Sequence, residues 1–583
     1  MSDRLCSIPV TCPPASQRSG ARRPRVWLAL RKRRPAALVA ATATVLVVAA
    51  CGGGSGGGGG SGSSTVKEGG VFRMGTSSTI DSLNPFIAFQ SDAYTTFEYI
   101  YPTLVQYTPA LKIVANFARS WKTSPDGRTW TFSTVPNAKW SDGKPLTAAD
   151  AAWTFSTIMK FADGATANSA GYVAHMKSAT APDATTLVLS YSQPVANVLS
   201  QVQQVPIMPE HIWAQYATGN GKALKTFQNN APIVSGGPFI LTKYTPKQVA
   251  LFKKNPAFYG PKPHIDGFGL QFFQTTDAEV TALKSGQLDG VEVPVPPTSV
   301  ATLKAAHFTV RSSPGDSFDD FIINSAPDQQ ASHKELLNPL LRQAFDHAID
   351  RQTVVSTSLL GHGQPGSTII PPATGSWSDP SIKPTSFSLA TANQLLDQAG
   401  YKMGPDGLRI ADGHPMSYTV IMPSSRASEY GNRTFQIIQP DFKKIGVRLN
   451  LKVLDESAAY DALTANNYRN FEISMWDWYP LTDPDFMLSV LTCNSFDVWN
   501  DTGYCSKAYD TLYSQQSAAM DPAKRQQLVY QMQQMIASAR PYLVIDYPDS
   551  IEAQSSHWSL LPEVGDGSFN SMSIIPMGSV HQL

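Results

Sequence analysis

Trp140-Ser141-Asp142-Gly143-Lys144-Pro145-Leu146-Thr147-Ala148-Ala149-Asp150 reads as a tight turn that feeds straight into a helix. Asp142-Gly143 makes the turn. Thr147 with Asp150 three residues on is a capping box in which Asp replaces the usual Glu, and the helix behind it carries Trp153, Phe155 and Ile158. Working back from this run, Trp130-Thr131-Phe132-Ser133 alternates as a half-buried strand should, and Ser124-Pro125-Asp126-Gly127 before it is a hairpin turn. Earlier still come Phe117-Ala118-Arg119-Ser120-Trp121 and an aromatic-rich segment, residues 95–104, expected to be a helix ending near Pro102. Asp81-Ser82-Leu83-Asn84-Pro85 is a turn, and Val71-Phe72-Arg73-Met74-Gly75 a short strand.

Each of these pieces is ordinary alone. Their order and spacing, beginning at Gly69-Gly70, resemble the family 5 extracellular solute-binding proteins of ABC importers, the peptide- and nickel-binding group. The resemblance continues through Gly236-Gly237-Pro238-Phe239, Asn255-Pro256-Ala257-Phe258-Tyr259, Leu283-Lys284-Ser285-Gly286-Gln287-Leu288-Asp289-Gly290 and the run from Leu341 to Arg351. It implies an α/β, two-lobed periplasmic-binding-protein-like fold with a hinge and an additional inserted N-proximal domain. Mapped onto this chain, lobe I takes 65–96, 232–325 and 541–583, the inserted domain 97–231, and lobe II 326–540. Strands alternating with helices in 239–295 and 418–473 independently suit α/β lobes.

Ahead of the globular part, Arg31-Lys32-Arg33-Arg34 precedes an apolar block, 36–50, that is shorter than the ~20 residues a spanning helix wants. A basic region, a short apolar region and small residues before a cut describe a signal peptide over 1–50. Val47-Val48-Ala49-Ala50-Cys51 resembles a bacterial lipobox, which implies a lipid on Cys51 and residence at the outer face of the cell membrane. Residues 52–64 are only Gly and Ser, a flexible tether. Its Gly53-Gly54-Ser55-Gly56-Gly57 matches a nucleophile elbow only through composition. The pairs Arg22-Arg23 and Arg33-Arg34 leave both the general and the twin-arginine export routes open.

Processing also changes the charge. The whole chain carries 46 Lys/Arg and 45 Asp/Glu; nine of the basic residues and one acid lie in 1–50, so the mature chain has a formal charge of −7. Such a chain is a poor partner for nucleic-acid phosphates, and none is expected. Of five cysteines, Cys6 and Cys12 fall in the leader and Cys51 is the lipid site. Cys493 and Cys505 remain, and close spacing in an exported domain favours a disulfide.

An enzyme is not expected. No phosphate-binding loop or H-E-x-x-H occurs, the ten histidines are scattered along the chain, and no catalytic residue, cofactor or metal set is assigned. The segment that draws attention is 474–486, after a strand at Phe471-Glu472-Ile473. Two Trp, a Tyr and three Asp fall within ten of its residues, a flat apolar surface beside negative charge that suits a cationic or amphipathic solute. Trp476, Asp477, Trp478, Tyr479 and Asp483 are the candidate ligand residues; the alternative makes the Trp side chains core and the Asp-Pro pairs turn formers. In peptide-binding members of the family an Asp soon after a Trp holds the ligand's ammonium. Placing Trp478 on that Trp puts the anchor position at Pro480-Leu481, so Asp477 or Asp483 takes the role only if the loop is shifted. Ser78 and Thr79, in a loop where the family pairs with extended peptide, and Tyr99 complete the candidates. The resemblance thus implies capture of (oligo)peptides by a monomer that hands them to an ABC permease with its separate ATPase. Metal chelates, oligosaccharides or siderophores on the same scaffold, an exported hydrolase, and a surface sensor or adhesin are the alternatives.

Overall fold

The computed structural model describes residues 66–583 apart from 78, 89–90, 109–110, 292–294, 329–332, 467, 497–499 and 560–578. The leader, Cys51, the tether and Ser78 therefore lie outside the described residues. Thr147 caps the helix Ala148–Lys160 with both halves of the box in place: its side chain accepts a backbone N–H, and its own N–H donates to Asp150 Oδ2 at 2.9 Å. Trp140, wholly buried, anchors the preceding turn, and Ser141 N–H donates to Ser235 O at 2.8 Å, tying this region to residues far along the chain.

The large sheet is built from β1 Val71–Thr76, β2 Phe239–Thr245, β3 Val249–Lys254, β4 Gly267–Phe272, β5 Gly290–Val291, β6 Thr309–Pro314, β7 Phe318–Ile323, β8 Ser417–Pro423, β9 Arg448–Leu454, β10 Ile473–Trp478 and β11 Tyr542–Gln554. Its order is β9-β8-β10-β7-β11-β5-β1-β4-β3-β2, with β6 and the short Gly363–Pro365 pairing onto β11. The thirteen-residue β11 is shared: Tyr542 to Asp546 pair with β7 in lobe II, and Asp549 to Gln554 with β6 in lobe I. The chain passes between lobes here and at 314–318. The expected boundaries at 325/326 and 540/541 therefore move, because Phe318–Ile323 and the first residues of β11 are paired into lobe II.

The two crossings touch. A Cβ on Gly315 would lie 2.3 Å from Pro548 O, a backbone atom with nowhere to go. Gly315→Ala is expected to cost about 1–3 kcal/mol of unfolding free energy, the usual effect of overpacking, measured by denaturant titration.

Residues 97–231 carry their own four-stranded antiparallel sheet, in the order Ala118–Thr123, Thr129–Thr134, Thr186–Tyr191, Met176–Asp183. They have no separate core. Trp130, Phe132, Trp140 and Phe155 belong to the same buried cluster as Phe72, Phe239, Phe252 and Phe268 of lobe I. Lobe II instead packs apolar clusters on both faces of its sheet: Phe321, Ile323, Met475 and Leu543 on one, Phe318, Ile322, Tyr542 and Val544 on the other.

Candidate functional site

Strand direction singles out one place in the sheet. β8, β9 and β10 run parallel, and β10 is antiparallel to β7, which starts at the crossing. β1, β4 and β5 run parallel and head toward the same crossing from the other side. The carboxyl ends of both strand sets thus face the crossover, where open α/β sheets hold ligands.

At that place the lobe II strands carry acids in an otherwise apolar sheet. Asp319 of β7 stands opposite Asp477 of β10 on one side and Asp546 of β11 on the other, a row of three carboxylates across three adjacent strands. Like charges directly opposite one another destabilise a sheet. Arg426 and Arg351 are nearby cations; the Arg426 guanidinium pairs with Asp319 and lies 4.1 Å over the Tyr430 ring, and Tyr430 OH donates to Asp319 Oδ2 at 2.8 Å. The Asp546 carboxyl is fully buried beside that of Asp319, to which it hydrogen-bonds when protonated. Burial, and then Asp319, raise its pKa well above the usual carboxylate range.

Asp320 lies on the opposite face, with Trp476 as its cross-strand partner. It too is fully buried with both oxygens unpartnered. Burial first, then the charges of Asp501, Asp319 and Asp477, push its pKa well up. Asp501 accepts from Trp478 Nε1 at 3.1 Å and from Tyr542 OH; burial raises it to about 7 in spite of those two donors. A carboxylate that accepts no hydrogen bond in the interior is expensive to ionise. Asp320 is therefore a group whose ionisation a nearby cation would favour.

Sequence reasoning did not single out Asp319, Asp320, Asp501 or Asp546. Phe318-Asp319-Asp320-Phe321-Ile322-Ile323 did carry a signal: two adjacent acids inside an apolar strand, a residue type almost never fully buried without cause.

The expected candidates fare differently. The strand extends from Ile473 through Trp478, so Trp476, Asp477 and Trp478 lie in β10 itself and not in a loop beyond it, because cross-strand pairing with β7 continues to Phe318. Trp476 and Trp478 pack partly buried against the lobe II core, and Tyr479 is 56% exposed. Asp483 is corrected. Arg525, itself 5% exposed, donates to both its oxygens at 2.9 and 2.6 Å, and Ser200 Oγ donates to Oδ2 at 3.1 Å. Burial opposes ionisation of Asp483, but Arg525 more than offsets it and its pKa falls below the usual range. Asp483 thus ties lobe II to residues 97–231 and has no oxygen to spare for a ligand. Tyr99 is corrected as well: it is 5% exposed, its ring edge-on to Phe239, Phe252 and Phe268 at 5.0–6.4 Å. Thr79 is exposed just past β1.

Cys493 and Cys505 form a disulfide, and Cys493 N–H donates to Asp510 Oδ1 at 3.0 Å, so the bridge braces the segment bearing Asp501. Replacing both by Ser is expected to cost about 2–3 kcal/mol, read by chemical unfolding of oxidised protein. The histidines are not all scattered in space: folding brings His333 and His414 together with Glu335.

Residues 112–497 match the family model described as bacterial extracellular solute-binding proteins, family 5 middle. Protein XP55 of Streptomyces lividans is 27% identical over 504 residues, covering 86% of this chain and 88% of the relative. Among solved structures, the ABC transporter-associated periplasmic binding protein DppA of Helicobacter pylori, in complex with the peptide STSA, superposes with a TM-score of 0.73 at 22% identity, over 88% of this chain and 98% of that one. NikZ of Campylobacter jejuni, in complex with Ni(L-His), gives a TM-score of 0.75 at 17% identity, over 88% and 99%.

Proposed function

The chain belongs to the family 5 bacterial extracellular solute-binding proteins, the substrate-binding components of ABC transporters, and from that premise we propose that it captures cationic peptides in its interlobe cleft. It is a binding protein and not an enzyme. The observation that carries the ligand class is Asp320, a buried carboxylate with both oxygens unpartnered at the crossing end of the lobe II sheet, opposite Trp476. An ammonium or guanidinium delivered there converts a costly interior acid into a charge-assisted hydrogen bond. Trp476 and Trp478 offer apolar surface beside it, and the exposed loop at Thr79 offers backbone from the opposite lobe.

Contacts to both lobes favour the closed arrangement by the ligand's differential affinity for it. Tyr107 OH donates to Ser200, and Ser200 to Asp483, so residues 97–231 already touch lobe II at one flank. Closure is then a rotation about the two crossings at 314–318 and 547–549. The monomer passes its cargo to a permease driven by a separate ATPase. A lipid on Cys51 keeps it at the outer face of the membrane, two acyl chains sufficing for a stable anchor. Among the described residues no helix is long and apolar enough to cross a membrane.

Native mass spectrometry of protein purified from its own cells tests the ligand. Co-purifying peptides enriched in Lys, Arg or free amino termini support the assignment. Release of metal chelates or sugars in their place overturns the ligand class while leaving the family standing. The mass of the mature amino-terminal peptide checks lipidation at Cys51.

A further inference from the structure

The outer pole of lobe II holds a second cluster of titratable groups. β10 advances six residues between Glu472 and Trp478, roughly 20 Å, so Glu472 is at the end of the sheet opposite the acid row. His333 and Glu335 join it from the turn before the helix Pro339–His347. His414 arrives on a hairpin whose corner, Asp412-Gly413, has φ of 48° and 86°, as a type I′ turn requires. Ala411 and His414 pair across that turn.

The distances are those of a ligand set. His333 Nδ1 is 3.0 Å from Glu335 Oε1, and its Nε2 is 3.2 Å from Glu472 Oε1. The Glu335 side chain is wholly buried, yet its Oε2 has no hydrogen-bond partner; neither has His414 Nε2, 3.6 Å away. That gap is too long for a hydrogen bond. It is close to the separation of two donor atoms on one tetrahedral ion with bonds near 2.0–2.2 Å, roughly 3.3–3.6 Å. One ligand atom from each of His333, Glu335 and His414 falls within 4.8 Å of the others.

We propose that His333, Glu335 and His414 bind one Zn²⁺ ion at this pole, with Glu472 orienting His333 through its second nitrogen. Two imidazoles and a carboxylate are a usual zinc donor set, with water completing the tetrahedron. The outer shell is in place: Tyr418 OH donates to Glu335 Oε1 at 2.8 Å, and Glu472 accepts the Thr419 amide with its other oxygen. A carboxylate behind a ligating histidine fixes the ring and strengthens it as a donor. In the metal-free protein a proton is the competitor. The ion would pin the 410–415 hairpin to the 334–337 turn, far from the peptide cleft.

The test is calorimetric titration of Zn²⁺ into the EDTA-stripped full-length protein at pH 8, repeated with Co²⁺, whose visible bands report tetrahedral coordination. One equivalent at micromolar affinity is expected. His414→Ala should abolish it, and Glu472→Gln should weaken it about 10–100-fold. The Asp320→Asn variant should bind Zn²⁺ like the parent, and peptide binding should be unchanged in His414→Ala. The His414 side chain is 32% exposed and its loss is compatible with folding, which circular dichroism verifies; His414→Asn replaces it otherwise. No uptake at micromolar Zn²⁺, equal uptake by the His414 variant, or loss of uptake in Asp320→Asn overturns the assignment.

Discussion

Asp483→Ala is expected to lower the unfolding free energy by about 3–5 kcal/mol, because it takes from the buried Arg525 the carboxylate that accepts two of its hydrogen bonds. Arg525 is 5% exposed and spends two of its nitrogens on Asp483; a third reaches Gln516 Oε1 at 3.1 Å. The adjacent Asp485, which also attracts the guanidinium, accepts from Gln516 at 2.6 Å and offsets only part of the loss. Ser200→Ala, which removes one donor to the same carboxylate and the acceptor of the Tyr107 OH, should cost less, about 1–2 kcal/mol. The ordering of the two variants in denaturant titrations is the measurement; equal, small effects would make the pair a solvated ornament. The pH dependence has a definite sign. Asp483 is held below its unfolded pKa, so its contribution is present above the ordinary carboxylate range and disappears as acid protonates the folded form.

Asp320→Asn is expected to act in two opposite directions. Affinity for a cationic peptide should fall roughly 30-fold or more, the cost of losing a desolvated charge partner. The empty protein should at the same time gain stability towards high pH, where the buried carboxyl must ionise and asparagine need not. A merely structural acid gives the reverse pattern, with unchanged affinity and lower stability. Calorimetry with a lysine-rich peptide and the thermal midpoint of the empty protein separate the two. The same site should respond to pH through Asp501, raised to about 7 by burial. Its folded pKa lies above its unfolded one, so the stability it supplies is full below about pH 4 and is lost as pH rises through 7. A cation prefers the ionised cluster. Peptide affinity should therefore increase from pH 5 to 8, and Asp501→Asn should flatten that rise.

Read residue by residue, local chemistry was legible and long-range chemistry was not. The Thr147–Asp150 box, the Ser124–Gly127 hairpin and the alternation at 130–133 appear where their residues place them, since capping, turn geometry and strand period act over a few positions. The disulfide followed from compartment and spacing. Tyr99 and Asp483 show the limit. Whether a tyrosine faces a cleft or three phenylalanines, and whether an aspartate faces solvent or an arginine, depends on partners 42 to 169 residues away.

What the chain determined by itself is the family, the α/β character and the presence of an exported leader pattern, all carried by short motifs and their order. Only the tertiary structure decided where the lobes exchange strands, because β11 belongs to both and no local signal divides it. Only the fold could assemble the acid row: Asp319, Asp477 and Asp546 are strangers in sequence and neighbours through strand register alone. The same holds for His333 and His414. Register and burial are properties of the packed sheet, and they bring together acids and histidines that are scattered in sequence.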